Sequence, residues 1–304
     1  MTLDRLVNLL VTITLIEMMV LIGLRVTFAE IAETAKRRSL LVRAGVANYL
    51  LVPALAIVLL ALFGADPMIA AGFLVLAVCP GAPFGPPFVA IARANVPQAV
   101  GLMAALAASS AILAPLLLQG LLPWIGGGDA LRIDAIGIVR ALIITQLLPL
   151  LCGVALRHFQ PQLADKLIGP LDLVSKILNL SLAALILFTQ FQMLADIRLR
   201  GFAGMLMLLA GSLVIGWVTG QSAQEGRRTL ALTTSLRNVG VGLVIVTGSF
   251  PGTPAVSAAL AYGIVEVLGS LLLAMWWGRR PSAHLAPSPS PDSARQRDTR
   301  AALP

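Results

Sequence analysis

FLVLAVCPGAPFGPPFVAIA, residues 73–92, is apolar enough to cross a membrane but cannot do so as one regular helix. Pro80, Pro83, Pro86 and Pro87 each lack a backbone donor and clash with the preceding turn, and Gly81 and Gly85 loosen the stretch further. Backbone freed at bilayer depth has to be buried in protein or line a cavity. A second stretch, TLALTTSLRNVGVGLVIVTGSF at 229–250, is interrupted more gently, with Arg237 near its middle and a glycine-rich run behind it. Two interrupted spans in corresponding halves of a membrane chain point to a transport site between them.

Working outward, the rest of the chain is built for lipid. Of its 304 residues 58% are hydrophobic and 12% charged, against about 25% charged in soluble domains. No charge interrupts the chain between Arg43 and Asp66, Asp66 and Arg93, Arg93 and Asp129, or Arg200 and Glu225. A spanning helix needs roughly 20 apolar residues, and these gaps meet that length. Strand-barrel alternation is absent, so the expected fold is all-α and polytopic. Nine spans are read, at about 6–27, 40–63, 68–92, 98–122, 135–156, 170–193, 202–221, 229–250 and 256–277. They form a single transmembrane domain over 1–280, and the Pro/Ser/Arg-rich stretch 281–304 reads as a disordered tail.

The alanine-rich helices NVPQAVGLMAALAASSAILAPLLL and FPGTPAVSAALAYGIVEVLGSLLL each follow a proline-containing connection. They suggest a first repeat over 6–122, a connector at 135–156 and an inverted second repeat over 170–277. The basic loops AETAKRRSLLVR, RHFQPQLADK, QEGRR and the tail alternate with GADP, GGGDALRID, ADIRLR and FPGTP. The positive-inside rule then sets the N-terminus outside and the C-terminus in the cytoplasm of a bacterial-type inner membrane.

Several function classes drop out. The formal charge of +8 is borne by loops and tail, which argues for positive-inside loops rather than nucleic acid. Cys79 and Cys152 lie in apolar runs without a CxxC partner, so neither a metal site nor a cofactor is expected. MTLDR is weakly charged and Glu17 interrupts the apolar run behind it, which argues against a cleaved signal. HExxH and G-x-S-x-G are absent and the two histidines, His158 and His284, fall outside the spans, so no enzyme is expected.

CPGAP followed by ARANVPQAVGLMAALAASSAILAPLLL resembles the first signature of the bile acid:sodium symporter family, and TTSLRNVGVGL resembles its second. The terminal GSLLLAMWW is similar too, so the likeness extends over residues 1 to about 280. The resemblance implies a core of spans 2–4 and 7–9, a panel of spans 1, 5 and 6, and two broken helices crossing in the core. Substrate would bind in the crevice facing the panel, in a nine-span form similar to members lacking the first of ten helices.

The departures are specific. The family's Ser-Asn sodium ligands fall on Gly85 and Pro86, and hydroxyls of the following helix on Ala99 and Met103. The shared glutamate falls on Thr233 and the glutamine on Arg237, while Asn238 is kept and Asn48 stands where a glutamine is usual. Sodium is a hard cation that needs several oxygen ligands, and most of them are replaced here.

An arginine at a helix centre costs about 2.5–3.5 kcal/mol on insertion scales, so Arg237 has to face a cavity or a partner. Two readings stand. Its guanidinium replaces the sodium charge and grips an anionic substrate, or it pairs within the core with Glu266, which lies mid-span in AYGIVEVLGS. Thr233, Thr234, Ser235, Asn238, Gly85 and Pro86 complete the expected substrate site, with Glu17, Glu266 and Asn48 as ion-coupling or charge-partner candidates. Asn179, Gln190 and Gln192 are read as crevice-lining or interhelical, and Lys176 as snorkelling from a helix end.

The function expected is transport of a small organic anion by alternating access, facilitated or proton-coupled rather than sodium-coupled in the family's usual way. The alternatives are a sodium-coupled symporter with a rebuilt ion site and, from another class, a membrane receptor that does not transport.

Overall fold

The computed structural model describes residues 3–126, 131, 133–195, 199–220 and 223–279. The stretch 281–304, expected to be disordered, lies outside the described residues. Each expected span has its helix. The first is α1 (Leu3–Arg25), and the second is α3 (Arg38–Val46) and α4 (Val52–Phe63), joined by a π turn at Ala47–Leu51. The third is split into α5 (Pro67–Ala77) and α6 (Gly85–Ile91), and the fourth is α7 (Val96–Gly126). The connector is α8 (Ala135–Leu142) and α9 (Leu148–Phe159), joined by a π turn at Ile143–Leu147, and is followed by α10 (Pro161–Ala195) and α11 (Leu199–Thr219). The eighth is split into α12 (Gln224–Ser235) and α13 (Val239–Ser249), and the last is α14 (Pro254–Arg279). Among the described residues six helices are long and apolar enough to cross a membrane, and α5 and α13 are shorter apolar helices.

One helix falls where a basic loop was expected. Phe28–Lys36 forms α2, started by a capping box in which Thr27 Oγ1 accepts from Glu30 N (3.2 Å) and Glu30 Oε2 accepts from Thr27 N (2.9 Å). The π turns also have a local cause. Pro53 and Pro149 follow them, and a proline removes one helical hydrogen bond and crowds the carbonyl four residues earlier. The wider turn absorbs that strain and carries Asn48 and Gln146, both fully buried.

The helices pack as two groups. In the panel, α1, α9 and α10 pack together, and Gly23 meets Gly153 so closely that a Cβ on Gly23 would stand 2.3 Å from Leu150 O. Such backbone contact is how helices associate without a hydrophobic drive from water. The core gathers α3–α7 and α11–α14, and its helices touch in the same manner. A Cβ on Gly72 would lie 2.3 Å from Ala255 O, and one on Gly216 2.5 Å from Leu230 O.

Between the groups side chains rather than backbones meet. Leu15 of α1 packs closely on Gly240 of α13, where an added Cβ would stand 3.3 Å from Leu15 Cδ1 and force it to give. Gln146 Nε2 donates across to Ala107 O of α7 (2.5 Å) and to Ser110 Oγ (3.1 Å).

Candidate functional site at the crossing of the broken helices

α5 stops at Ala77 because the next residues cannot extend it. Pro80 has no N–H to give, and Gly81 turns to φ 89°, where a Cβ would also strike Ala107 N at 2.5 Å. α12 stops at Ser235 without any proline. The two freed segments satisfy each other: Pro80 and Arg237 form an antiparallel bridge, and Asn238 N donates to Cys79 O at 2.7 Å. Asn238 then does two jobs with one side chain. Its Oδ1 accepts from Val241 N (3.2 Å), capping α13, and its Nδ2 donates to Gly81 O (3.3 Å).

Arg237 lies at the centre of this crossing, 1% exposed. Its guanidinium donates to Ala77 O (3.2 Å) and to Thr234 O. Both carbonyls belong to the last turns of half-helices, where orphan acceptors and the negative end of the helix dipole meet. One cation thus caps α5 and α12 together. Glu266 meets Arg237 through the main chain: its Oε1 accepts from Arg237 N at 2.8 Å, while Glu266 Oε2 and Arg237 Nε have no hydrogen-bond partner.

The hydroxyls around the second break are engaged locally. Thr233 Oγ1 donates to Thr229 O (2.9 Å), Asn48 Nδ2 donates to Ala44 O (2.8 Å) and Thr234 Oγ1 (3.4 Å), and Ser235 Oγ meets Ser270 Oγ at 3.0 Å. Thr233 turns its methyl toward Gly85, at 3.6 Å from where a Cβ would stand. Ala99 lies buried beside this point in an apolar cluster with Ala82, Val89, Ala231 and Leu236.

The first break faces a different environment. Pro83, Phe84, Pro86 and Pro87 form one wall of a crevice of about 230 Å³ between core and panel. Met18 and Arg25 of α1 and Asp172, Ser175, Lys176 and Asn179 of α10 line the other. Arg25 is paired with Asp172, whereas Lys176 has no ion-pair partner among the described residues. Lys176 therefore stands in the crevice rather than only at a lipid-facing helix end, a placement that depends on how α10 packs and leaves no mark in sequence.

Of the expected substrate residues Pro86 lines the crevice and Gly85 adjoins it, while Thr233, Thr234, Ser235, Arg237 and Asn238 are buried at the crossing. Asn179 reaches the crevice as expected, and the side chains of Gln190 and Gln192 lie outside the described residues. A larger cavity of about 610 Å³ opens between α4, α5, α11 and α14. It is mostly apolar, with Asp66 and Arg200 among its lining, and touches neither break. Size alone does not make it the site.

The profile of the Sodium Bile acid symporter family matches residues 12–220. The chain is similar to the probable sodium/metabolite cotransporter BASS1, chloroplastic, of Arabidopsis thaliana, at 26% identity over 239 residues, covering 75% of this chain and 57% of that protein. It is also similar to the probable sodium/metabolite cotransporter BASS3, chloroplastic, of Arabidopsis thaliana (23% over 266 residues, 86% and 60%). A third relative is the probable sodium/metabolite cotransporter BASS2, chloroplastic, of Oryza sativa subsp. japonica (22% over 275 residues, 89% and 64%). The chain spans about three-fifths of the length of these curated relatives. The family profile covers more than half of its 304 residues and both helix breaks fall where the resemblance placed them, so this integral membrane chain belongs to the sodium bile acid symporter family.

Proposed function

We propose that this chain is a secondary transporter of a small organic anion, in which the Arg237 guanidinium takes the place of the family's coupling sodium. The observation that carries the reading is the guanidinium seated on Ala77 O and Thr234 O, the carbonyl ends of two half-helices. A monovalent cation brought to about 4 Å from it would be repelled by about 4 kcal/mol at an effective dielectric constant near 20. Of the family's ligand positions, Gly85, Pro86, Ala99 and Met103 carry no side-chain oxygen and the Thr233 hydroxyl is turned to its own helix. The buried side-chain carbonyl and carboxylate oxygens left without a partner near the crossing are Asn48 Oδ1 and Glu266 Oε2, fewer side-chain oxygens than a sodium ion takes.

The substrate side of the reading rests on the crevice. Proline, methionine and phenylalanine side chains give it apolar walls, and Lys176 gives it a cation that no neighbour neutralises. Its volume of about 230 Å³ lies below the roughly 300–1,000 Å³ of pockets for drug-sized ligands, which favours a metabolite-sized anion over a steroid.

The panel closes on α13 around Leu15 and Gly240, while the crevice lies toward Arg25, at the end that carries the basic loops. With that end in the cytoplasm, the state described is inward-facing, and rocking of panel against core would expose the same walls outward. A reporter fused to the C-terminus is expected to read cytoplasmic, and an external reading would reverse this orientation.

The function is tested by uptake of labelled short-chain carboxylates into proteoliposomes. Wild type is expected to take up at least one of them in potassium or choline medium, and Lys176→Gln to raise KM about tenfold, the loss of about 1.4 kcal/mol of counter-charge. Uptake that needs an inward sodium gradient would favour the sodium-coupled reading that the relatives' names support. Binding without flux would favour a receptor.

A further inference from the structure

Among the described residues Glu17 is the carboxylate in the panel's interior that the reading above leaves without a task. It lies mid-way along α1, both carboxylate oxygens are buried, and the Ser175 hydroxyl is the group nearest to hydrogen-bonding them, though outside full hydrogen-bond geometry. Ser175 of α10 faces it, and Ser175 and Met18, the residue after Glu17, both line the crevice. The carboxyl group therefore sits one hydroxyl behind the wall of the proposed anion site.

The charges that could neutralise it are occupied or distant. On its own helix Arg25 is eight residues away, about 12 Å along the axis, and is bound to Asp172. Arg5, twelve residues the other way, is about 18 Å off. From α10 the charged groups near it are Asp172, which repels a negative charge, and Lys176, in the crevice beyond Ser175. On α9, Arg157 is paired with Asp165 and His158 packs on Phe28 at the basic end, while Cys152 is exposed. α13 and the π turn at Ile143–Leu147, the other elements packed on α1, carry no titratable residue.

An ionised carboxylate with no counter-charge and at most one hydroxyl beside it is costly to bury, and intramembrane acids of this kind mark proton relays. We propose that Glu17 is a proton-binding site that couples anion movement to the proton gradient, reached from the crevice past Ser175. The inference rests on the anion-transport reading. The step balances simply: the carboxylate takes a proton from hydronium, leaving water, when the crevice faces the acidic side, and returns it to water when the crevice faces the alkaline side. One proton carried with one monoanion moves no net charge.

Two measurements on the full-length protein in lipid vesicles test this. The first is the infrared carboxylic-acid band as bulk pH is varied. Glu17→Gln is expected to remove a component that titrates with bulk pH. A wild-type spectrum with no titrating component lost in Glu17→Gln would overturn the proposal.

The second is the initial rate of uptake of radiolabelled lactate and benzoate, with and without an alkaline interior and with potassium and valinomycin clamping the voltage, less the rate in protein-free vesicles, which admit the undissociated acids passively. In wild type this protein-dependent rate is expected to rise with an alkaline interior. In Glu17→Gln the two conditions should give the same protein-dependent rate. A gradient response of that rate equal to wild type in the variant would overturn proton coupling and leave anion transport standing. Absence of any protein-dependent carboxylate flux in wild type would overturn both.

Discussion

The two breaks meet the same requirement, open backbone in the middle of a membrane, by different chemistry. At the first, proline removes the donors and Pro83, Pro86 and Pro87 turn their rings to the crevice. At the second there is no proline, and Leu236, Arg237 and Asn238 are each at most 1% exposed. There the helix is interrupted by a cation and an amide that supply the donors themselves. The difference divides the labour. The proline break offers a rigid apolar wall to whatever enters from the panel side, and the arginine break closes the interior with a fixed charge. Their antiparallel pairing makes either one a support for the other.

The largest effect is expected on removing the fixed charge. Arg237→Gln strands Ala77 O and Thr234 O and removes the positive charge beside Glu266, which keeps its hydrogen bond to the main-chain N–H of residue 237, and a buried charge left without its counter-charge costs about 3–5 kcal/mol. Thermal unfolding in detergent is expected to show that loss, along with loss of uptake. The double variant with Glu266→Gln should recover part of it, because the orphaned acid goes too. An Arg237→Gln protein as stable as wild type would mean the guanidinium does not hold the crossing.

A smaller effect on stability and a larger one on function is expected at the first break. Replacing Pro80, Pro83, Pro86 and Pro87 together by alanine restores the donors and lets the helix heal. The protein should still insert and fold, with uptake lost because the crevice wall has been rebuilt. Unchanged uptake would show that the proline wall has no part in binding, and would erase the contrast between the breaks.

Much of this architecture was legible in the sequence. Long gaps between charges marked the spans, and the four prolines and Arg237 marked both interruptions, because lipid tolerates few alternatives to a continuous helix. Other features depended on weaker or non-local signals. α2 sits in a stretch basic enough to read as a loop, although its Thr27-x-x-Glu30 capping box is plain in retrospect. The π turns follow from Pro53 and Pro149, which the apolar runs around them masked.

The site was harder. The residue types at the crossing were foreseen, but the partners of Arg237 are main-chain carbonyls, which every residue carries and no motif distinguishes. Glu266, one of two partners read for the guanidinium, meets Arg237 through a hydrogen bond from its backbone N–H, which no side-chain pattern signals. Lys176 gained its place only through the packing of α10 across from α6, a contact made over about ninety residues of chain.

Whether the crossing binds sodium can be measured without knowing the substrate. Purified protein is titrated with sodium chloride against potassium chloride at matched ionic strength while its thermal unfolding is followed. Because Arg237 already fills the carbonyl ends of α5 and α12, the two salts are expected to give superimposable curves. A sodium site would instead stabilise the fold by about 2.7 kcal/mol at one hundred times its Kd, and a sodium-specific rise in Tm of that kind would contradict the claim that the guanidinium has replaced the ion.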